Sequence, residues 1–135
     1  MKRYVKCHIE HPEKGVLLIQ RAKTDEHGGM WESVGGGVDD GEMPHHAIVR
    51  EVKEETGLDV TVSYQRSIVF SDDANASKQY KADLFIALTV DGDVVLSDPE
   101  EHINFEWVKR SELFDFVAAG NEIERWTLTH LLAFN

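Results

Sequence analysis

Residues 36 to 58 of this chain read GGVDDGEMPHHAIVREVKEETGL, and their spacing leaves few folds open. Pro44 suits a first helical turn, where its missing N–H is not needed. Gly57 suits the position just past the last turn, where a left-handed residue closes a helix. Between them Ile48, Val49, Val52 and Thr56 make one apolar stripe. Glu51, Glu54 and Glu55 fall at i, i+3 and i+4 and share the flank beside that stripe. Like charges so placed destabilise an isolated helix by ~0.2–0.5 kcal/mol per pair. Packing gives no reason for three carboxylates there, whereas a divalent cation does. Hard cations take oxygen ligands and keep waters while bridging carboxylates to phosphates. Gly35, Gly36 and Gly37, just upstream, let the backbone come close to such a ligand and add carbonyl oxygens. A solvated acidic helix face would account for a bare E-x-x-E-E. It would not account for the glycine loop, Glu42, Arg50 and Gly57 at their offsets.

The segment resembles the signature of the Nudix hydrolase family, G-x5-E-x7-R-E-U-x-E-E-x-G-U with U aliphatic. All nine specified positions match, from Gly36 to Leu58, over about a sixth of the chain. Leu17 to Arg21 is similar to the family's strand ending in arginine, and Trp31 to Gly36 to its W-x-x-P-G-G lead-in, with Val34 in place of the proline. The resemblance implies an α/β/α sandwich with a mixed β-sheet between helices. It implies hydrolysis of a diphosphate linked to another group. It also implies that Glu54 and Glu55 hold Mg²⁺, with Mn²⁺ admissible, and that Gly36 offers a carbonyl. Glu51 becomes a ligand or a water-orienting base, and Glu42 and Arg50 a structural ion pair. Many members take the general base from a late loop. By position that loop is Asp98 to His102 here, with Glu100, Glu101 and His102 as candidates beside Glu51 and Glu54. Arg21 is expected to meet a phosphate; Phe70 and Tyr80 either stack on a nucleobase or pack in the core.

A net charge of −11 speaks against duplex nucleic acid as a partner, because no basic patch is in view to neutralise phosphates. An anionic substrate is compatible with that charge once a bound cation reverses the local sign. The 135 residues suffice for one domain, read as 1–135, and the single Cys7 excludes an internal disulfide framework. Neither a signal peptide nor a bilayer-spanning run is visible, so a cytoplasmic protein is expected. A homodimer stays open.

Strands are expected at Tyr4–Ile9, Val16–Arg21, Val60–Phe70, Gln79–Val90, Val94–Leu96 and Phe105–Val108, with a turn at Asp91-Gly92. Ser111 is expected to cap a helix over Leu113–Ala118, and Asn121 to cap a last helix reaching about Ala133. Ile123, Trp126 and Leu131 would face that last helix onto the sheet. The family's downstream markers for ADP-ribose and dinucleoside polyphosphates are missing, with Asp73-Ala74-Asn75 in their zone, and the extended marker of NADH-type enzymes is not seen. Elimination leaves nucleoside di- or triphosphates, oxidised nucleotides included, as the small-molecule substrate. The alternatives are a nucleotide sugar, a dinucleotide or a non-nucleoside diphosphate. A non-catalytic binding module on the same fold should have lost one of Glu51, Glu54 and Glu55, and all three are present.

Overall fold

The computed structural model describes residues 1–23, 28–71 and 75–132. The strands are β1 (Lys2–His8), β2 (Glu10–His11), β3 (Gly15–Arg21), β4 (Trp31–Glu32), β5 (Val34–Gly37), β6 (Asp59–Ser71), β7 (Gln79–Asp91) and β8 (His102–Val108). The helices are α1 (Pro44–Thr56), α2 (Leu113–Ala118) and α3 (Arg125–Leu132).

The apolar run in β3 explains the layering. Leu17 and Ile19 enter one buried cluster, with Val5, Cys7, Ile48, Val52 and Phe85. Val16 and Leu18 alternate to the opposite side and enter a second cluster, with Trp31, Val108, Ile123 and Leu131. A strand buried on both faces reads as a near-continuous hydrophobic run. Cys7 is buried, and that burial pushes its thiol up to about 12, as befits a packing residue.

The strands divide between two sheets. One is mixed, in the order β5-β1-β7-β6, with β1 parallel to β7 and antiparallel to β5. The other is antiparallel around β3, which pairs with β2, β4 and β8. Helix α1 packs on the first cluster through Ala47, Ile48 and Val52, while α2 and α3 reach the second through Leu113, Phe116 and Leu131. Helices thus lie on both sides of the strands, the mixed α/β class that the sequence leads one to expect. Among the described residues, no helix is long and apolar enough to cross a membrane.

Helix α1 has both expected ends. Pro44 opens it, and Gly57 closes it at φ 76°, donating its N–H to the Lys53 carbonyl. Four expectations fail. Val94–Leu96 forms no strand and Asp91-Gly92 turns into no hairpin. The Val95 N–H goes instead to the Thr56 carbonyl at the end of α1, at 2.8 Å. Ser111 lies inside a 3-10 turn (Arg110–Glu112), and Glu112 precedes α2 without a side-chain cap. Asn121 does not cap α3, because its side-chain amide donates to the Phe116 carbonyl at the end of α2. Trp31 takes up the following backbone, receiving from Glu124 N–H and donating to the Glu122 carbonyl, so α3 opens only at Arg125. Ala133, Asp73 and Ala74 lie outside the described residues.

Candidate active site

The glycine loop is β5, and it reaches α1 by contact. Gly36 pairs with Val5 of β1. A Cβ built on Gly36 would stand 2.6 Å from the Glu51 carboxylate, so only glycine leaves that side chain its place. Glu51 is half-buried, and this burial raises its pKa against the pull of Arg50.

Arg50 organises the acidic helix. Its Nε and Nη2 each lie 2.8 Å from an oxygen of Glu42, a bidentate pair. Nη2 also donates to the Gly37 carbonyl at 3.1 Å. Nη1 is shared by Glu51 at 3.0 Å and Glu54 at 3.1 Å. One guanidinium thus ties the loop, Glu42 and two helix carboxylates together. Its hydrogen bonds hold the Glu42 carboxyl down at about 2.

The three helix carboxylates do not share one environment. The Glu54 side chain is 57% exposed, that of Glu51 15% and that of Glu55 7%. Glu55 turns inward, where Oε1 accepts the Gly35 N–H at 2.8 Å and Oε2 lies 3.5 Å from His102 Nδ1. Burial pushes its carboxyl up to about 7, more than Lys6, His102 and the Gly35 N–H pull it back.

The late loop arrives beside Glu55 because the chain before it is tied to α1. Val95 binds the Thr56 carbonyl, and the Ser97 hydroxyl donates to the Glu54 carbonyl. The Glu101 and His102 N–H groups both donate to the Asp98 carbonyl. One ligand atom each from Glu55, Glu101 and His102 then fall within 4.8 Å of one another. Glu100 is exposed, with its N–H on the Asp98 side chain.

Two residues that the sequence reading passed over join this group. Glu32 is buried in β4 and accepts from His102 Nε2 at 3.1 Å and from Arg21 Nη1 at 3.0 Å. The Lys6 ammonium is 3.5 Å from Glu32 Oε2 and donates to the Ser33 carbonyl at 3.1 Å. Burial alone would raise Glu32, but Lys6, His102 and Arg21 outweigh it and hold the carboxyl well below the usual range. Burial likewise opposes the Lys6 charge, yet Glu32, Glu124 and Glu55 raise its pKa above the ordinary value. Arg21, expected at a phosphate, is thus placed on Glu32.

Phe70 and Tyr80 stack on each other at 5.3 Å, and Trp126 lies 4.5 Å from Phe70. Tyr4 completes this cluster, 5.8 Å from Tyr80 and 6.2 Å from Trp126. Lys6 Nζ stands 5.4 Å from the Trp126 ring centroid, so one buried cation touches both the aromatic cluster and the acidic network.

The chain belongs to the Nudix family: the NUDIX domain matches residues 2–131. It is 30% identical over 127 residues to the nucleoside triphosphatase NudI of Escherichia coli O139:H28, covering 85% of this chain and 87% of that one. It is 46% identical over 46 residues to the 8-oxo-dGTP diphosphatase of Proteus vulgaris, covering 34% of this chain and 41% of that one. An octanoyltransferase of Myxococcus xanthus is 34% identical over 72% of this chain, which spans only 27% of that protein. Among solved structures, the MutT Nudix hydrolase of Burkholderia pseudomallei has the same fold, with a TM-score of 0.81 at 23% identity and full coverage of both chains.

Proposed function

We propose that this chain is a divalent-metal-dependent pyrophosphohydrolase of nucleoside di- or triphosphates. The observation that carries the reading is the acidic flank of α1: Glu51 and Glu54 are held by Arg50, Gly36 lies against Glu51, and Glu55 is met by Glu101 from the late loop. The nucleotide activities named for NudI and for the 8-oxo-dGTP diphosphatase support the substrate class.

The donor set fits a hard cation. Glu51, Glu54 and Glu55 offer carboxylate oxygens and Gly36 a carbonyl, beside a backbone position that a Cβ would block. Mg²⁺ or Mn²⁺ held there would neutralise phosphate charge and lower the pKa of water. Arg50 keeps Glu51 and Glu54 from recoiling off each other, since one Nη1 group binds both. Glu51, whose pKa is raised by burial, is suited to accept a proton from the attacking water, as is Glu101 from the loop. Lys6 and Trp126 lie where the aromatic cluster meets the charged network, a combination that suits a base joined to phosphates.

The test is phosphate and pyrophosphate release over a panel of nucleoside triphosphates, diphosphates, nucleotide sugars and dinucleotides, with Mg²⁺ and with excess EDTA. Metal-dependent pyrophosphate release from triphosphates is expected. Turnover that survives EDTA would sink the mechanism, and turnover confined to nucleotide sugars or dinucleotides would replace the substrate class.

A further inference from the structure

His102 stands between two carboxylates, and the partners of one of them fix what the other meets. Glu32 Oε1 is 3.1 Å from His102 Nε2, while Glu32 Oε2 faces the Arg21 guanidinium at 3.0 Å and the Lys6 ammonium at 3.5 Å. A carboxylate with two cations on it has no proton to give. The hydrogen in the Glu32–His102 bond is therefore on Nε2, and Nδ1 is left as the ring's other functional atom. Nδ1 points at Glu55 Oε2, 3.5 Å away, and no hydrogen bond to it is found among the described residues. Yet the His102 side chain is only 8% exposed.

That separation is long for an N–H···O bond, but it suits two donors on one ion. With metal–ligand bonds of ~2.1 Å, neighbouring ligands stand ~3.4 Å apart in a tetrahedron and ~3.0 Å in an octahedron. Glu101 supplies a third donor, since one atom from each of the three residues lies within 4.8 Å of the others. The outer partner is also in place. A histidine that binds a metal nearly always gives its second ring N–H to a carboxylate or carbonyl, which fixes ring and tautomer. Glu32 does this from a strand in which it is buried.

We propose that His102 Nδ1 is a metal ligand, and that Glu55, Glu101 and His102 form a cation site of mixed oxygen and nitrogen donors that prefers Mn²⁺ to Mg²⁺. The proposal rests on the metal-dependent reading given above. An imidazole nitrogen favours transition metals, whereas Mg²⁺ demands oxygen, so one ring in the donor set shifts selectivity. The sequence pattern points to oxygen ligands alone; the nitrogen comes from the loop that Ser97 and Val95 anchor to α1.

The full chain loaded with Mn²⁺ alone, without nucleotide, provides the test. Pulsed electron paramagnetic resonance should detect ¹⁴N modulation on the bound Mn²⁺. Labelling the protein with ¹⁵N-histidine should convert it to the ¹⁵N pattern, which requires no substitution. His102→Gln should abolish the modulation while Mn²⁺ still binds, and calorimetry should find the ratio of Mn²⁺ to Mg²⁺ affinity reduced by about 10-fold or more. Bound Mn²⁺ without histidine modulation in the parent protein would overturn the nitrogen ligand and leave the metal-dependent reading standing. Modulation that persists in His102→Gln would also overturn it, pointing to another histidine. Failure of the parent protein to bind Mn²⁺ or Mg²⁺ would overturn the metal-dependent reading itself.

Discussion

Gly36 and Glu55 show how single residues shape the candidate site. A methyl at Gly36 would meet the Glu51 carboxylate at 2.6 Å, so Gly36→Ala must displace Glu51 or bend β5. Misplacement of a reacting group by an ångström costs on the order of 10²-fold in rate, and a kcat loss of that order is expected. Near-parental turnover in Gly36→Ala would show that Glu51 need not stand where it does. Glu55 gives a signature in pH. Its carboxyl is raised from 4.5 to about 7 in the folded protein. Between those values the folded state holds a proton that the unfolded chain has lost. Stability of the metal-free protein should therefore fall as pH rises through that window, by up to about 3 kcal/mol from this group. Chemical denaturation of the parent and of Glu55→Gln across pH 4.5 to 7 measures it: the parent should show the steeper decline, and saturating Mn²⁺ should flatten it. Equal slopes with and without the carboxyl would remove the effect from Glu55.

Elements differ in how far the sequence reveals them, and the difference follows from where their ends are bonded. Helix α1 is legible because both its signals are local. Pro44 needs no donor, and Gly57 takes the left-handed backbone at φ 76°. Gly57→Ala should cost about 1–2 kcal/mol in denaturant unfolding, the cost of a side chain in that conformation. A Cβ there would make only ordinary contact with Val95 at 3.9 Å, so crowding adds little and an unchanged midpoint would contradict the reading. Helix α3 misleads because the partners of its approach are remote. Asn121 has the right chemistry for a cap, but its amide is held by Phe116, and the backbone at 122 to 124 is held by Trp31. The same distance hides half of the candidate site. Glu51, Glu54 and Glu55 declare themselves by helical spacing. Lys6, in a strand of alternating character, reads as solvent-facing until Trp126 of α3 is seen lying over it. Glu32 stands in the lead-in to the glycine loop with nothing nearby in sequence to pair with, and its partners come from β1, β3 and β8.

At the scale of the whole molecule, a net charge of −11 makes the folded state repel itself, and the buried Glu55 adds a local penalty to the general one. A cation that binds the folded chain relieves both. Millimolar Mg²⁺ or Mn²⁺ should raise the melting temperature, with a gain of about 2.7 kcal/mol at 100 times Kd for one site. A melting temperature indifferent to both ions, at low and moderate ionic strength, would argue against a preformed site. The order of the sheets was beyond the sequence, since patterning identifies strands without naming neighbours. Nothing local announces that β1 lies parallel to β7, or that β3 belongs to a different sheet from β1.

That placement of β3 has a consequence for how the protein is lost. Its side chains are divided between two apolar clusters, Leu17 and Ile19 in one, Val16 and Leu18 in the other. Peeling away the elements on either side would bare alternate residues of the same strand to water, so each layer holds the other in register. Partly open intermediates are therefore costly, and damage cannot be confined to one half. A protease patrolling for misfolded chains would meet this molecule closed or wholly unravelled, with little in between.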